Sequence, residues 1–357
     1  MNANPSSVLS SLPMSDIAMH KSSNSSTWTV YLPSSAECSL ATDLPWFRET
    51  FQRHVLTGDL VRLETSPERA NLVVIFERWA EKNRQSLCKV LDDPFLRQYA
   101  PKTYVISHDD FTVGLFPGCY TSLTRARFDP GWHRSCPYPG VYHWDPSLEQ
   151  LRHELDIDRK RLFSFRGSVT SHTVRRRIQL AVAKDPRGSF TAVHQAFHTH
   201  TSEQVVDYVR EILESDFVLC PRGISPSTYR MYEVMQLGRC PVVISDDWIA
   251  PDGPDWNCCS IRIREADVDH LPQRLEQYSD RAAALGAAAR QAWETWFSEG
   301  PRFVGLFESI LELHLKRRGQ QASSVQALRT RMDAWRFRWN AGWTAPQRMA
   351  RGLLHRK

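Results

Sequence analysis

Arg230 and Glu233 stand three residues apart in DFVLCPRGISPSTYRMYE (216–233), seven residues and more past Gly223. Helical spacing puts both side chains on one helix face. A helix that starts just after a strand presents free backbone N–H groups and the positive end of its dipole, which suits an anion. Arg222, in the loop itself, adds a guanidinium of the kind that pairs with phosphate oxygens. A carboxylate at Glu233 could accept both hydroxyls of a ribose. Gly223 would give the turn its freedom, and Ser225 or Ser227 could cap the helix. The same residues could equally form a local Arg–Glu surface pair on an ordinary strand–helix unit, because a lone glycine loop is weak as a motif.

FRGSVTSHTVRRR (165–177) repeats the theme: a strand end, Gly167, hydroxyl residues, then Arg175, Arg176 and Arg177. Successive helix residues point about 100° apart, so at most two of the three arginines can face one site. The alternative is a solvated basic helix face. SHDD (107–110) ends a strand in the N-terminal half, where open α/β sheets place their ligand groups. Asp109, Asp110 or His108 could therefore act as a general base, or cap a helix or turn. Asp246 and Asp247 hold the corresponding place after a later strand. No cluster suggests a metal site: the eight cysteines form no CxxC, and adjacent Cys258 and Cys259 suit neither zinc nor a disulfide. They read as reduced thiols in a reducing, cytoplasmic compartment.

The elements that would position these residues alternate. TWTVYL (27–32), NLVVIF (71–76) and TYVISHDD (103–110) read as strands, with helical stretches around 44–56 and 81–99. The Pro-, Gly- and aromatic-rich segment 117–148 reads as loop. A second series starts at RLFSFRGS (161–168) and runs through helices at 172–184 and 203–215, the strand–loop–helix–strand of 216–249, the strand CCSIRI (258–263) and a helix at 268–278. The stretch 280–317 is helical in composition. Strands alternating with helices predict parallel sheets covered on both faces, here two Rossmann-like lobes meeting near 150–160.

The chain has 357 residues, a length suited to two domains, with 24% charged residues and a net charge of +5. That charge is local. Leu328–Lys357 holds eight Lys and Arg against Asp333 alone, so the remainder is slightly acidic and no nucleic-acid-binding body is implied. Met1–Ser26 is serine-rich without an apolar core and reads as a disordered lead-in. In the tail, Trp335, Trp339 and Trp343 share a helical face among arginines. Such a stripe favours packing on the protein itself, with peripheral contact to an anionic membrane as the alternative.

Taken together, FRG (165–167), SDFVLCPRG (215–223), RMYE (230–233), GRCPVVISDDWIAP (238–251) and DWNCCSIRIREAD (255–267) resemble the exostosin-type glycosyltransferases. PERANLVVI (67–75) and SHDD are similar to that family's first-lobe segments. Val218 and Arg239, which splits Gly238 from Cys240, depart from its pattern. The resemblance implies a GT-B architecture of two Rossmann-like parallel-sheet lobes facing a central cleft, with the acceptor on the first and a nucleotide-sugar donor, expected to be a UDP-sugar, on the second. It implies transfer with inversion and no obligatory metal or other cofactor. Carried over, Glu233 would hold the ribose, while Arg222, Arg230 and an arginine after Gly167, Arg175 or Arg176, would neutralise the diphosphate beside Gly223. The expected division is a lead-in at 1–26, an acceptor-side lobe at 27–155, a donor lobe at 156–320 and a basic aromatic helix at 321–357 packing back on the first lobe. The expected partners are the nucleotide-sugar and a glycan or small-molecule acceptor, with no specific nucleic acid. A catalytically inert binding or scaffold protein on the same fold is the competing class; a membrane or nucleic-acid binder acting through the tail is a weaker one.

Overall fold

Every residue of LVVIF (72–76) and TYVIS (103–107) is buried, as strands covered on both faces require. The structure, a computed structural model, describes residues 27–56, 60–77, 89–90, 92–110, 113–138, 146–155, 157–193 and 201–317. The expected lead-in at 1–26 and the basic aromatic tail at 321–357 lie outside the described residues.

Two parallel sheets organise the chain. The first contains β1 (Trp28–Tyr31), β2 (Val61–Leu63), β3 (Leu72–Phe76), β4 (Thr103–Ser107), β5 (Gly118–Tyr120) and β6 (His133–Ser135), in the order β2-β1-β3-β4-β5-β6. The second contains β7 (Arg161–Gly167), β8 (Gly188–Ala192), β9 (Ser215–Pro221), β10 (Cys240–Ile244) and β11 (Ile261–Arg262), in the order β11-β10-β9-β7-β8. These are the two Rossmann-like lobes that the alternating pattern predicts. Because all pairs are parallel, each sheet gathers its carboxyl ends along one edge: Glu77 and His108–Asp110 in the first, Gly167, Arg222 and Ser245–Asp247 in the second.

The segment 117–148 is not simply loop, as its composition suggests; it supplies β5 and β6. Strands of three residues such as GCY and HRS carry no readable alternation, and they are ordered by pairing with a neighbour, Val105↔Gly118 and Gly118↔His133. Gly118 has φ +154°, and a Cβ there would fall 1.9 Å from the Val105 carbonyl oxygen, so only glycine lets β5 lie against β4. CCSIRI likewise yields a strand only at Ile261–Arg262. The Asp255 carboxylate accepts from Asn257 N and caps a helical turn, Trp256–Cys259, that takes the first half of the segment.

The helix Glu299–Arg317 leaves the second lobe and buries Phe303, Leu306, Phe307, Ile310 and Leu313 in the core of the first, against Phe47, Phe51, Leu72, Val74, Phe76 and Ile106. The Phe303 and Phe47 rings lie 5.4 Å apart. This crossover helix sits within 156–320, the range expected for the donor lobe, yet its apolar face completes the other lobe. The turn before it, Trp293–Phe297, is a π-helix.

Candidate active site at the carboxyl ends of the two sheets

Phe165 is the floor of the candidate site on the second lobe. Its ring lies 4.7 Å from the guanidinium carbon of Arg230 and 5.6 Å from that of Arg175, two cation–π contacts in a buried setting. Two residues on, a Cβ at Gly167 would stand 2.7 Å from Arg230 Nη2. The missing side chain is what lets that nitrogen reach and donate to the Arg166 carbonyl. The Phe-x-Gly of β7 and the Arg-x-x-Glu of the next helix are thus one packing unit, though some sixty residues separate them in sequence.

Arg230 and Glu233 belong to the helix Arg230–Gln236, whose seven residues are all buried. They are not the surface pair allowed for above. Each has its own partner: Arg230 lies between the Phe165 and Tyr208 rings, and Glu233 Oε2 accepts from Tyr208 Oη at 2.6 Å. Burial pushes the Glu233 carboxyl up to about 7, against the Tyr208 hydrogen bond and the Arg230 charge, which lower it. Ser225 and Ser227 do not cap this helix. Its cap residue is Tyr229, in helical conformation with no side-chain bond, and Ser225 Oγ instead accepts from Ser227 N at 3.2 Å within the loop.

Arg175 is buried and donates to three backbone carbonyls: Arg222 O at 2.9 Å, Ser168 O at 2.9 Å and Pro221 O at 3.0 Å. It therefore ties the loop after β7 to the loop after β9. Burial, then the neighbouring Arg230 charge, pulls its guanidinium down to about 9. Gly223 has no left-handed backbone; its bareness matters because a Cβ there would lie 3.2 Å from Arg175 Nη2. Arg222 Nη1 pairs with Asp247 Oδ2 at 3.0 Å and lies 3.6 Å from Glu265 Oε1. The Nε atoms of Arg222 and Arg230 and the hydroxyls of Ser171 and Ser227 are buried without a hydrogen-bond partner among the described residues. Arg176 is not brought to the site. It lies on the exposed face of the helix Thr173–Val182, and Arg177 beside it pairs with Asp269 at 2.8 Å.

On the first lobe, SHDD divides. Asp109 is 1% exposed, with its N–H 3.4 Å from Ser107 Oγ. His108 is half-buried, its ring 6.1 Å from that of Phe47. Asp110 is linked to the second lobe through Tyr138. Its Oδ1 accepts from Tyr138 Oη at 2.8 Å, and Tyr138 Oη lies 3.0 Å from Ser225 Oγ in the loop after β9. Ser225 Oγ in turn donates to Ser122 Oγ at 2.7 Å. Burial raises the Asp110 carboxyl, while the Tyr138 bond and the Arg175 charge across the cleft lower it. The lobes also meet where Arg125 donates to Asp246 O at 2.9 Å and Trp248 O at 3.1 Å, and where Ser135 Oγ donates to Ile249 O at 2.6 Å. Sequence reading missed Tyr208, Tyr138, Ser225's bridging role and Arg125. Each acts through a contact distant in sequence, with no local spacing to mark it.

Comparison with known proteins agrees with the motifs. Residues 120–278 match the family model of the Exostosin GT47 domain. An Exostosin-1 homolog of Caenorhabditis elegans is 34% identical over 93 residues, 25% of this chain and 24% of that protein. Exostosin-1c of Danio rerio is 25% identical over 215 residues, 54% of this chain and 29% of that protein. Ribitol-5-phosphate xylosyltransferase 1 of Homo sapiens is 30% identical over 106 residues, 29% of this chain and 24% of that protein. The chain thus spans less than a third of the length of these relatives. Among solved structures, Anabaena HepE in complex with UDP is similar at 11% identity with a TM-score of 0.36, covering 82% of this chain and 99% of that one. The likeness carried by FRG, SDFVLCPRG, RMYE and GRCPVVISDDWIAP is that of an Exostosin GT47 domain at residues 120–278, in a chain whose curated relatives are exostosins and related xylosyl- and glucuronosyltransferases.

Proposed function

We propose that the chain is a glycosyltransferase that moves a sugar, with inversion, from a UDP-sugar bound on the second lobe to a hydroxyl of a glycan or small acceptor on the first. The observation that carries this reading is the buried Arg230–Glu233 constellation at the carboxyl end of the second sheet. A carboxylate and a guanidinium are held there by separate partners rather than by each other. Such an arrangement costs stability unless something meets the remaining polar atoms, and a nucleoside diphosphate does so. Glu233 would accept from the ribose hydroxyls. The unpartnered Nε groups of Arg222 and Arg230 would face the diphosphate and stabilise its charge as the sugar bond breaks. Arg175, already committed to three carbonyls, would hold the two loops in register for that task. Asp110, at the acceptor side of the same cleft, would take the proton of the attacking hydroxyl.

Calorimetric titration with UDP, followed by turnover assays over a panel of UDP-, GDP- and CMP-sugars, tests the reading. Glu233→Ala should weaken UDP binding by about 1.5–3 kcal/mol, the worth of hydrogen bonds to a charged group. Unchanged affinity in a folded variant would remove Glu233 from the site. Donor binding with no transfer to any acceptor would favour the inert binding protein.

A further inference from the structure

Tyr208 sits on the helix Ser202–Leu213, outside every motif quoted above, yet it touches both charged residues of the candidate donor site. Its hydroxyl donates to Glu233 Oε2 at 2.6 Å, a length typical of a bond to an ionised carboxylate. Its ring lies 6.0 Å from the Arg230 guanidinium carbon, with the Phe165 ring 4.7 Å from the same atom. Among the described residues no other side chain donates to Glu233. We propose that Tyr208 is a positioning residue for nucleotide binding. Its hydroxyl fixes one oxygen of Glu233, so that the other is turned to the ribose, and its ring restrains Arg230 for the diphosphate. This rests on the nucleotide-sugar reading given above.

The amphipathic pattern of SEQVVDYVREIL explains why the sequence gives no sign of this role. Val209, Ile212 and Leu213 are the buried apolar residues of the helix, and an aromatic at position 208 reads as one more of them. Its hydroxyl is what a packing residue would not need. The groups that share Glu233's surroundings are Tyr208 from this helix, Cys220 from β9, and Tyr229 and Arg230 from its own loop and helix. Of these, only Tyr208 donates a hydrogen bond to the carboxylate. Arg290, from the helix Ala282–Ala292 packed on the same element, reaches the Gln236 carbonyl instead.

The sign follows. A ribose diol donates to the ionised carboxylate, so UDP affinity should fall as pH drops through the Glu233 pKa. Burial pushes that pKa up to about 7, and the Tyr208 bond opposes the rise. Without the hydroxyl the opposition is lost, and the midpoint of the affinity–pH curve should move to higher pH.

The test is calorimetric titration with UDP through the neutral range, for the wild-type chain, Tyr208→Phe and Glu233→Gln. Tyr208→Phe keeps the ring and should bind UDP about tenfold more weakly at neutral pH, the loss expected for one charged hydrogen bond, with its midpoint displaced upward. Glu233→Gln cannot ionise and should keep only the pH dependence that the UDP phosphate itself brings. A folded Tyr208→Phe with wild-type affinity and midpoint would overturn the proposal while leaving the nucleotide reading intact, as would a Glu233→Gln variant with the wild-type curve. Failure of the wild-type chain to bind UDP would overturn the nucleotide reading, and this inference with it. A purely structural role would lower the melting temperature of Tyr208→Phe but leave the midpoint where it was.

Discussion

Asp109 and Asp110 are neighbours with opposite surroundings. The first is 1% exposed beneath β4; the second lies at the lobe boundary under the hydroxyl of Tyr138 and within reach of the Arg175 charge. A general base must meet the acceptor hydroxyl and be ionised when it does. We propose Asp110 for this role because it lies at the lobe boundary, and its raised pKa brings it nearer the pH at which a base is most effective. Asp110→Asn keeps the size and still accepts from Tyr138, so it should lower turnover by about 10²–10⁴-fold while UDP affinity stays near wild type. Stability gives a second reading with a fixed sign. A carboxyl whose folded pKa is raised favours the folded state when protonated, and that contribution is lost as pH climbs through the folded value. At neutral pH the ionised Asp110 therefore works against folding, and the neutral amide should leave the melting temperature unchanged or raise it. The activity of the wild-type chain should fall as pH drops through the same pKa, and Asp110→Asn should lack that limb. Asp109→Asn and His108→Gln should retain turnover. If one of them loses it instead, the base is misassigned.

The strand β7 and the helix Arg230–Gln236 meet at Gly167 with no room for a side chain. A methyl there would sit 2.7 Å from Arg230 Nη2 and 3.3 Å from the Phe165 ring. The guanidinium is the far end of a flexible side chain, so the fold can yield, but Arg230 cannot keep both the Arg166 carbonyl and its place on Phe165. Gly167→Ala should then weaken UDP binding by about tenfold or more with only a small fall in melting temperature; the reverse pattern, a large fall in stability at unchanged affinity, would show that Gly167 serves the strand alone. These elements also show what a sequence can disclose. β3, β4, β9 and β10 hold continuous apolar runs bounded by polar or glycine residues, β7 holds two short ones around Ser164, and each was legible. β2, β5, β6 and β8 were not, because strands as short as VRL, GCY and HRS take their form from the partner strand rather than from their own alternation. Glu233, Arg230 and Gly167 were legible as motif residues. Tyr208 and Tyr138 were not, because a tyrosine on a helix or in a loop reveals its hydroxyl's partner only when the chain has folded.

At the scale of the molecule, several contacts among the described residues join the two lobes, among them the Ser135–Ile249 hydrogen bond. The crossover helix Glu299–Arg317 plugs the first lobe's core with phenylalanine and leucine side chains, a joint that apolar burial makes hard to undo. Tyr138 and Ser225 link Asp110 to the loop after β9 by hydrogen bonds in the cleft itself. Arg125 is different: it is an exposed side chain that reaches from the first lobe to two carbonyls, Asp246 O and Trp248 O, just beyond β10 of the second. An exposed contact of this sort contributes little to folding, roughly 0.5–1.5 kcal/mol per hydrogen bond at most. Its consequence is geometric, because it sets how closely the first lobe approaches the loop of Asp246 and Asp247, whose Asp247 holds Arg222. Misplacing reacting groups by about an ångström can lower a rate by about 10²-fold even where binding is intact. Arg125→Ala should therefore leave the melting temperature within about 1–2 °C of wild type and UDP affinity unchanged, since every donor contact proposed here lies on the second lobe. Turnover should fall by about tenfold or more, and small-angle scattering should show a larger radius of gyration if the lobes part. Arg125→Lys, which can reach only one of the two carbonyls at a time, should fall between. Wild-type turnover in Arg125→Ala would show that the crossover helix, the Tyr138 bonds and the Ser135–Ile249 bond hold the cleft without it.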